Sequence, residues 1–188
     1  MGIRRLSIAL FATGLLYALY RAYYGAGGTI GMIGTPTSER HWRAVNLGAA
    51  VVLVVVALLP VAMLRLWSRP RLRRVFLLVA SALAVGGVMH AVIMDVQRIA
   101  SLAGVHHIRY PAAEWRARDD HAADLQDLLF NETWFLVEGI LWARLVWTAL
   151  ARSRARRRWL MGVVAATVAL TCVGLLSAFG IAGRWVVG

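Results

Sequence analysis

The sequence of 188 residues contains no lysine, one cysteine, four prolines and nine acidic residues. A single cysteine, Cys172, excludes a disulfide bond within the chain, and its position in an apolar run gives it no redox role. All 21 basic residues are arginines, and the formal net charge is +12. The arginines stand in short blocks between apolar runs. This placement is typical of charges that flank membrane helices, and it argues against a nucleic-acid-binding protein.

Apolar residues are in large excess. They make up 60% of the chain, and the mean hydropathy is +0.66, whereas soluble domains contain about 45–50% apolar residues. Such a chain needs lipid as its solvent. The absence of lysine beside abundant alanine, valine, leucine and arginine indicates a GC-rich bacterial genome, so we predict a multi-pass protein of the bacterial cytoplasmic membrane.

Five apolar stretches approach or exceed the roughly 20 residues that a helix needs to cross a bilayer. They predict an all-α fold, a single transmembrane helix bundle whose spans cover residues 6–24, 44–64, 75–97, 130–151 and 159–183. An alternative for the first span is a cleaved signal peptide that starts at Arg4 and Arg5. Its tyrosine-rich end, "YALYRAYY", fits an interfacial belt better than a cleavage site.

The arginines also predict the orientation. Segments 65–74 and 144–158 hold five and six arginines without an acid, and Arg4 and Arg5 bring the count on this side to 13 of 21. Six of the nine acids fall within 98–132. The positive-inside rule then predicts a cytoplasmic N-terminus, an external C-terminus, and external loops at 25–43 and 98–129.

Polar residues of several spans fall at one depth. The third span leaves the membrane near residue 98, so His90 lies in its outer half and Asp95 near the outer interface. The second and fourth spans start outside, which places Asn46 and Glu132 at the same level, with Glu138 about 10 Å deeper. Polar groups inside a bilayer face the bundle rather than lipid. We therefore predict a polar cavity in the outer leaflet.

The predicted residues of this cavity form a catalytic set and a ligand-binding set. We predict that acid–base chemistry is performed by His90, Asp95 and Glu138. We predict that the ligand is bound by Asn46, Arg98, Asn131, Glu132, Trp134 and Tyr20. We predict no cofactor.

A structural interpretation of the same residues stays open. Asp95 and Arg98 are three residues apart and can form an ion pair on one helix face. His90 can hydrogen-bond a neighbouring helix, and Glu138 can pair with Arg144 or an asparagine. The cluster would then hold helices together without binding anything.

Two further sequence patterns do not indicate a binding site. His106, His107 and His121 lack the tight spacing of metal ligands, so we predict no metal site. The glycine-rich stretch 25–34 lacks the spacing of a phosphate-binding loop and the Lys-Ser or Lys-Thr that follows one. We expect a compact loop pressed against the bundle there.

The stretch "ALYRAYYGAGGTIGMIGTP", residues 18–36, resembles the opening of small polytopic bacterial membrane proteins of unknown function. Those proteins carry an aromatic residue, a Gly-Gly pair and a further glycine after their first span. This resemblance covers about the first third of the chain and implies no activity.

A second resemblance concerns residue order. "HAVIMD" (90–95), "EWRARDD" (114–120) and "NETWFLVEGILW" (131–142) are similar in order to the emopamil-binding (EXPERA) family, which binds or isomerises sterol-like lipids with an intramembrane histidine and acids. The resemblance implies such roles for His90, Asp95, and Glu132 or Glu138. The acid follows the histidine by four residues in that family and by five here, which moves Asp95 to another helix face.

Together these patterns predict a membrane-embedded binding or accessory protein. It would engage membrane lipids and either a small lipophilic ligand or another membrane protein, including a second copy of itself. One alternative is an intramembrane acid–base enzyme, isomerase-like, that acts on an isoprenoid or sterol-like lipid. The other is a small proton-coupled transporter, which would need to dimerise because no internal repeat is visible.

Overall fold

The computed structural model of the chain describes residues 2–106, 108 and 114–181. Helices account for 80% of it, which confirms the predicted helical character. The α-helices are α1 (Ile3–Gly25), α2 (Glu39–Leu66), α3 (Pro70–Leu102), α4 (Asp120–Gln126), α5 (Glu132–Ala149) and α6 (Ser153–Ala178). A π-helical segment, Asp127–Asn131, lies between α4 and α5.

Four helices of the described residues are long and apolar enough to cross a membrane, namely α1, α2, α3 and α6. They match four of the five predicted spans and begin three to six residues earlier in sequence. Residues 182 and 183, which end the last predicted span, lie outside the described residues. The helix in the remaining predicted span, α5, has 18 residues and carries Glu132, Glu138 and Arg144. Because three of its 18 residues are charged, α5 is not among the four helices that are apolar enough to cross a membrane.

The chain divides into two compact units. The first unit comprises Met1–Phe76 and Arg109–Ala123. Here α1 packs along α2, because both helices carry apolar and small residues at helical spacing, such as Leu6, Leu10 and Gly14 on α1. A side chain at Gly25 would collide with Leu47, so glycine at this position permits the close approach of α1 and α2.

The first unit also contains a two-stranded ribbon that the sequence analysis missed. Strand β1 (Gly34–Pro36) pairs antiparallel with β2 (Trp115–Arg118). The Trp115 ring packs edge-on against Trp42 of α2 at 4.9 Å between ring centroids. The predicted loops 25–43 and 98–129 therefore each contribute a strand, and the expectation of a purely α fold is corrected to this extent.

The second unit comprises Leu77–Ile108 and Asp124–Gly188. Its helices α3 and α5 touch through two glycines, since a Cβ atom added to Gly87 would lie 3.0 Å from the Gly139 Cα and 2.9 Å from the Phe135 carbonyl oxygen. Small residues permit such close packing of membrane helices. Helix α6 contacts α3 where the Trp159 indole N–H donates to the Ser81 hydroxyl at 2.8 Å.

Candidate functional site

A buried ion cluster joins the end of α3 to the segment that precedes α5. The Arg98 residue is 4% exposed. One of its terminal nitrogens lies 3.2 Å from Asp124 Oδ1, and the other lies 2.6 Å from Asp127 Oδ2. The Asn131 amide donates to the other oxygen of Asp127 at 2.6 Å. The planar guanidinium group thus satisfies carboxylates of α4 and the π segment at once.

This cluster corrects the predicted ion pair between Asp95 and Arg98. Arg98 turns instead to Asp124 and Asp127, because two acids from another helical segment offer more complete charge compensation than one acid on its own helix. The Oδ1 atom of Asp95 is shielded from solvent and accepts no hydrogen bond from any described residue.

A π-helical turn leads into the helix that contacts His90. In this segment, backbone hydrogen bonds reach five residues back, as from the Glu132 N–H to the Asp127 carbonyl. Such a turn accommodates one extra residue and rotates the helix that follows it about its axis. Both Glu132 and Glu138 lie on that helix, α5, and Glu132 is the acid that contacts His90.

The His90–Glu132 contact is the second polar feature of this unit. The two side chains approach to 3.5 Å between His90 Nε2 and Glu132 Oε2. Glu132 is 3% exposed, and its Oε2 atom accepts no hydrogen bond from the described residues. The His90 side chain is 44% exposed and packs edge-on against the Phe135 ring at 4.5 Å between centroids. A buried carboxylate oxygen therefore meets a half-exposed imidazole beside an aromatic wall.

Other predicted residues of the second unit lie near this contact in sequence but have different surroundings. Glu138 is half-buried on α5, about 9 Å along the helix from Glu132. Trp134 is half-buried, and its ring is tilted against Phe130 at 6.1 Å. The described ion contact of His90 is with Glu132.

Two predicted ligand-binding residues belong to the first unit. Asn46 is buried on α2, and its amide donates to the Trp42 carbonyl one turn earlier at 2.9 Å. Tyr20 stacks on Tyr17 with ring centroids 5.7 Å apart and meets the edge of Tyr24 at 5.0 Å. Their described contacts are with neighbouring groups of this unit.

Residues of the types that bind metals do not gather into a metal-binding group within the part of the chain that the structure describes. Among the described residues, no three side chains of the types histidine, cysteine, aspartate and glutamate converge on one point. His106 instead packs against Phe179 at 4.7 Å between ring centroids. His107 of the sequence analysis lies outside the described residues.

The two polar features differ in the chemistry they can perform. In the Arg98 cluster each charge faces an opposite charge at bonding distance, which is the property of a structural ion pair. At His90 and Glu132 the separation of 3.5 Å exceeds an ordinary hydrogen bond of about 2.7–3.2 Å. A hydroxyl group placed between these atoms can donate to Glu132 Oε2 and accept from the Nε2–H of a neutral imidazole. This contact is the candidate functional site.

Asp124 and Asp127 are functional residues that the sequence does not single out, because both fall in the predicted external loop 98–129. Asp124, Asp127 and Asn131 are three and four residues apart, a spacing that places them on one helix face. This spacing is the sequence signal that could have identified them. Comparison with known proteins adds no assignment, since no protein-family model, curated protein or solved structure matches this chain.

Proposed function

We propose that this chain is a five-span protein of the bacterial cytoplasmic membrane with a cytoplasmic N-terminus and an external C-terminus. Four long apolar helices and the one-sided arginine blocks support this topology. The fifth span is α5, which at 18 residues is about 27 Å long and close to the roughly 30 Å of the hydrocarbon core.

The lone cysteine makes this topology testable. In a Cys172→Ser background, we expect Thr29→Cys and Ile181→Cys to react with a membrane-impermeant maleimide in intact spheroplasts, because both positions would face outward. Arg69→Cys should react only after the membrane is opened. All three positions are exposed in the structure, so burial does not limit the reaction. Labelling of Thr29→Cys but not Ile181→Cys in intact spheroplasts would mean that α5 does not cross the membrane.

We propose that the protein binds a small lipophilic alcohol through His90 and Glu132. The observation that carries this proposal is the Oε2 atom of Glu132, which is buried without a described hydrogen bond and has a half-exposed histidine at 3.5 Å. A buried acceptor without a hydrogen bond costs about 1–3 kcal/mol. A ligand hydroxyl that reaches it from the side of His90 removes this cost.

The surroundings of the contact favour a lipophile over a water-soluble ligand. Phe135 lies against His90, and the residues that flank His90 on α3 are apolar. A ligand that enters here exchanges lipid contacts for protein contacts. Its entry does not take the water from a further charged side chain. The polar part of the binding free energy then comes from a few directed hydrogen bonds, as in most small-molecule sites. Hydrogen bonding to one hydroxyl selects the ligand, while its apolar body keeps it in the membrane.

The test is the affinity for dodecan-1-ol, measured in nanodiscs as binding beyond partition into protein-free discs. We expect Glu132→Gln to weaken this affinity about tenfold, because leaving a buried hydrogen-bonding group without its partner costs about 1–3 kcal/mol and 1.4 kcal/mol corresponds to a factor of ten. Replacing the probe with its methyl ether, which has no donor, should weaken wild-type binding to the same extent.

Glu39→Gln is the matched control, since it makes the same substitution at a glutamate whose side chain is 79% exposed in the first unit. We expect it to bind dodecan-1-ol like the wild type. Equal affinities of wild type and Glu132→Gln for the alcohol would refute the proposed function.

One alternative has a specific observation in its favour. A histidine beside a carboxylate is an acid–base pair, and the similarity in residue order to the emopamil-binding family points the same way. An enzyme of this kind would convert a bound unsaturated alcohol into an isomer. Incubation of the nanodisc protein with farnesol, followed by chromatography of the extracted lipid, distinguishes the two, because a binding protein returns farnesol unchanged.

A further inference from the structure

An apolar groove runs between α3 and α6 within the second unit. The cavity has a volume of about 410 Å³ and is lined on α3 by Ala82, Val85 and Gly86, and on α6 by Gly162, Val163 and Ala166. This volume falls within the range of about 300–1,000 Å³ that is usual for small-ligand sites.

Two glycines keep the groove open. A Cβ atom added to Gly86 or to Gly162 would meet no other atom within 4 Å. Gly87, the next residue along α3, behaves differently, since a Cβ there would strike α5 at 2.9 Å. Gly86 and Gly162 thus do not serve close helix packing, and they leave room for something other than protein.

The groove leads towards the candidate functional site. Gly86 precedes His90 by four residues, so the two lie about one turn apart on neighbouring parts of the same face of α3. The other end of the groove is at Ser81, nine residues from His90 and therefore about 13 Å away along the helix axis. An extended alkyl chain covers this distance with about ten carbons, given carbon–carbon bonds of about 1.5 Å.

The far end offers no second polar attachment. The Ser81 hydroxyl donates to the Leu77 carbonyl at 2.6 Å and accepts from the Trp159 indole at 2.8 Å. The remaining lining residues of the groove have no polar side chain. A ligand that follows the groove therefore carries its polar group only at the His90 end.

We propose that the ligand is a single-tailed lipophilic alcohol whose hydroxyl lies between His90 and Glu132 and whose tail of about ten carbons occupies the α3–α6 groove as far as Trp159. This inference rests on the proposed function and specifies its ligand class. A tail of this length adds apolar contact without a further polar group. The occupant is thereby distinguished from a two-tailed bilayer lipid, whose headgroup would have to remain at the membrane surface.

The position of Trp159 allows a direct test. We expect 12-bromododecan-1-ol in nanodiscs to quench the fluorescence of the wild type more than that of Trp159→Phe, because the bromine at the end of the tail comes next to this indole. The hydroxyl-free analogue 1-bromododecane should give no such difference. Equal quenching by the two compounds would mean an ordinary lipid site and would overturn the proposal.

A variant that fills the groove with a side chain also tests whether the ligand tail occupies it. In the wild type, the affinity for alkan-1-ols, corrected for partition, should rise with chain length up to about ten carbons and then level off. Gly162→Leu should remove this dependence and lower the affinity for dodecan-1-ol at least tenfold, while hexan-1-ol binds as before. Gly48→Leu is the matched control, because Gly48 is also an exposed helix glycine with nothing within 4 Å of its added Cβ.

The outcomes separate the two proposals. If dodecan-1-ol binding depends on Glu132 but neither Trp159 quenching nor Gly162→Leu has an effect, the groove assignment is wrong and the proposed function stands. If no alcohol binds in a hydroxyl-dependent way, both are wrong. The quenching experiment compares the wild type with Trp159→Phe, so a folding defect in Gly162→Leu cannot obscure its result.

Discussion

We expect the replacement of Arg98 with methionine to lower the free energy of unfolding by about 3–5 kcal/mol, the range for removing one partner of a buried ion pair. Arg98, Asp124 and Asp127 form one cluster in which the arginine is 4% exposed. Methionine fills a similar volume but leaves two carboxylates without their counter-charge. Unfolding of the purified protein by increasing mole fractions of sodium dodecyl sulfate, followed by circular dichroism, measures this change.

Two variants provide the comparison. Arg43→Met removes an arginine whose ion pair with Glu39 is 3.7 Å long and largely exposed, and such surface pairs contribute about 0–1 kcal/mol. The triple variant Arg98→Met, Asp124→Asn, Asp127→Asn should recover much of the lost stability, since it also removes the stranded charges. If Arg98→Met is no less stable than Arg43→Met, the buried cluster does not stabilise the fold.

A methyl group added at Gly87 should destabilise the second unit by about 1–3 kcal/mol, the usual cost of overpacking. In Gly87→Ala the new carbon would lie 2.9 Å from the Phe135 carbonyl oxygen and 3.0 Å from the Gly139 Cα. Both are backbone atoms, so α3 and α5 must move apart. The same movement separates His90 from Glu132, and dodecan-1-ol binding should weaken together with the stability.

Gly86→Ala is the neighbouring control for stability. Its added carbon meets nothing within 4 Å, and alanine favours a helix over glycine by up to about 1 kcal/mol. We expect Gly86→Ala to unfold at the same denaturant fraction as the wild type or at a higher one. Equal destabilisation by both variants would show that the loss comes from removing any glycine of α3, and not from the contact between α3 and α5.

The long helices could be predicted from the sequence because their signal is local. A run of about 20 apolar residues identifies a span without reference to the rest of the chain, and α1, α2, α3 and α6 lie where such runs occur. The ribbon of β1 and β2 had no comparable signal. Its strands have three and four residues, they lie some 80 residues apart in sequence, and Gly34 and Pro36 are residue types that are uncommon in strands.

The candidate site was predicted in part. Depth along the helices places Glu132 at the membrane rim and Glu138 about 10 Å deeper, in the outer half where His90 lies, whereas the structure has His90 in contact with Glu132. The sequence favours Glu138 as the acid–base residue because an acid deep in a membrane is costly and usually functional. Which acid meets His90 also depends on how α3 and α5 are rotated about their axes, and sequence spacing alone does not give that rotation. The partners of Arg98 could not be predicted, because Asp124 and Asp127 are 26 and 29 residues away in a stretch that the positive-inside rule assigns to an external loop.

The most direct measurement of the proposed function is the distance from the ligand to His90. In nanodiscs that contain protein with ¹⁵N-labelled histidine and ¹³C1-labelled dodecan-1-ol, dipolar solid-state NMR should place the labelled carbon about 4 Å from one histidine ε2 nitrogen, since a hydrogen-bonded oxygen lies about 3 Å from it. The contact should vanish in His90→Phe. If the wild type shows no such contact, or if the contact persists in His90→Phe, the alcohol does not bind at His90 and Glu132.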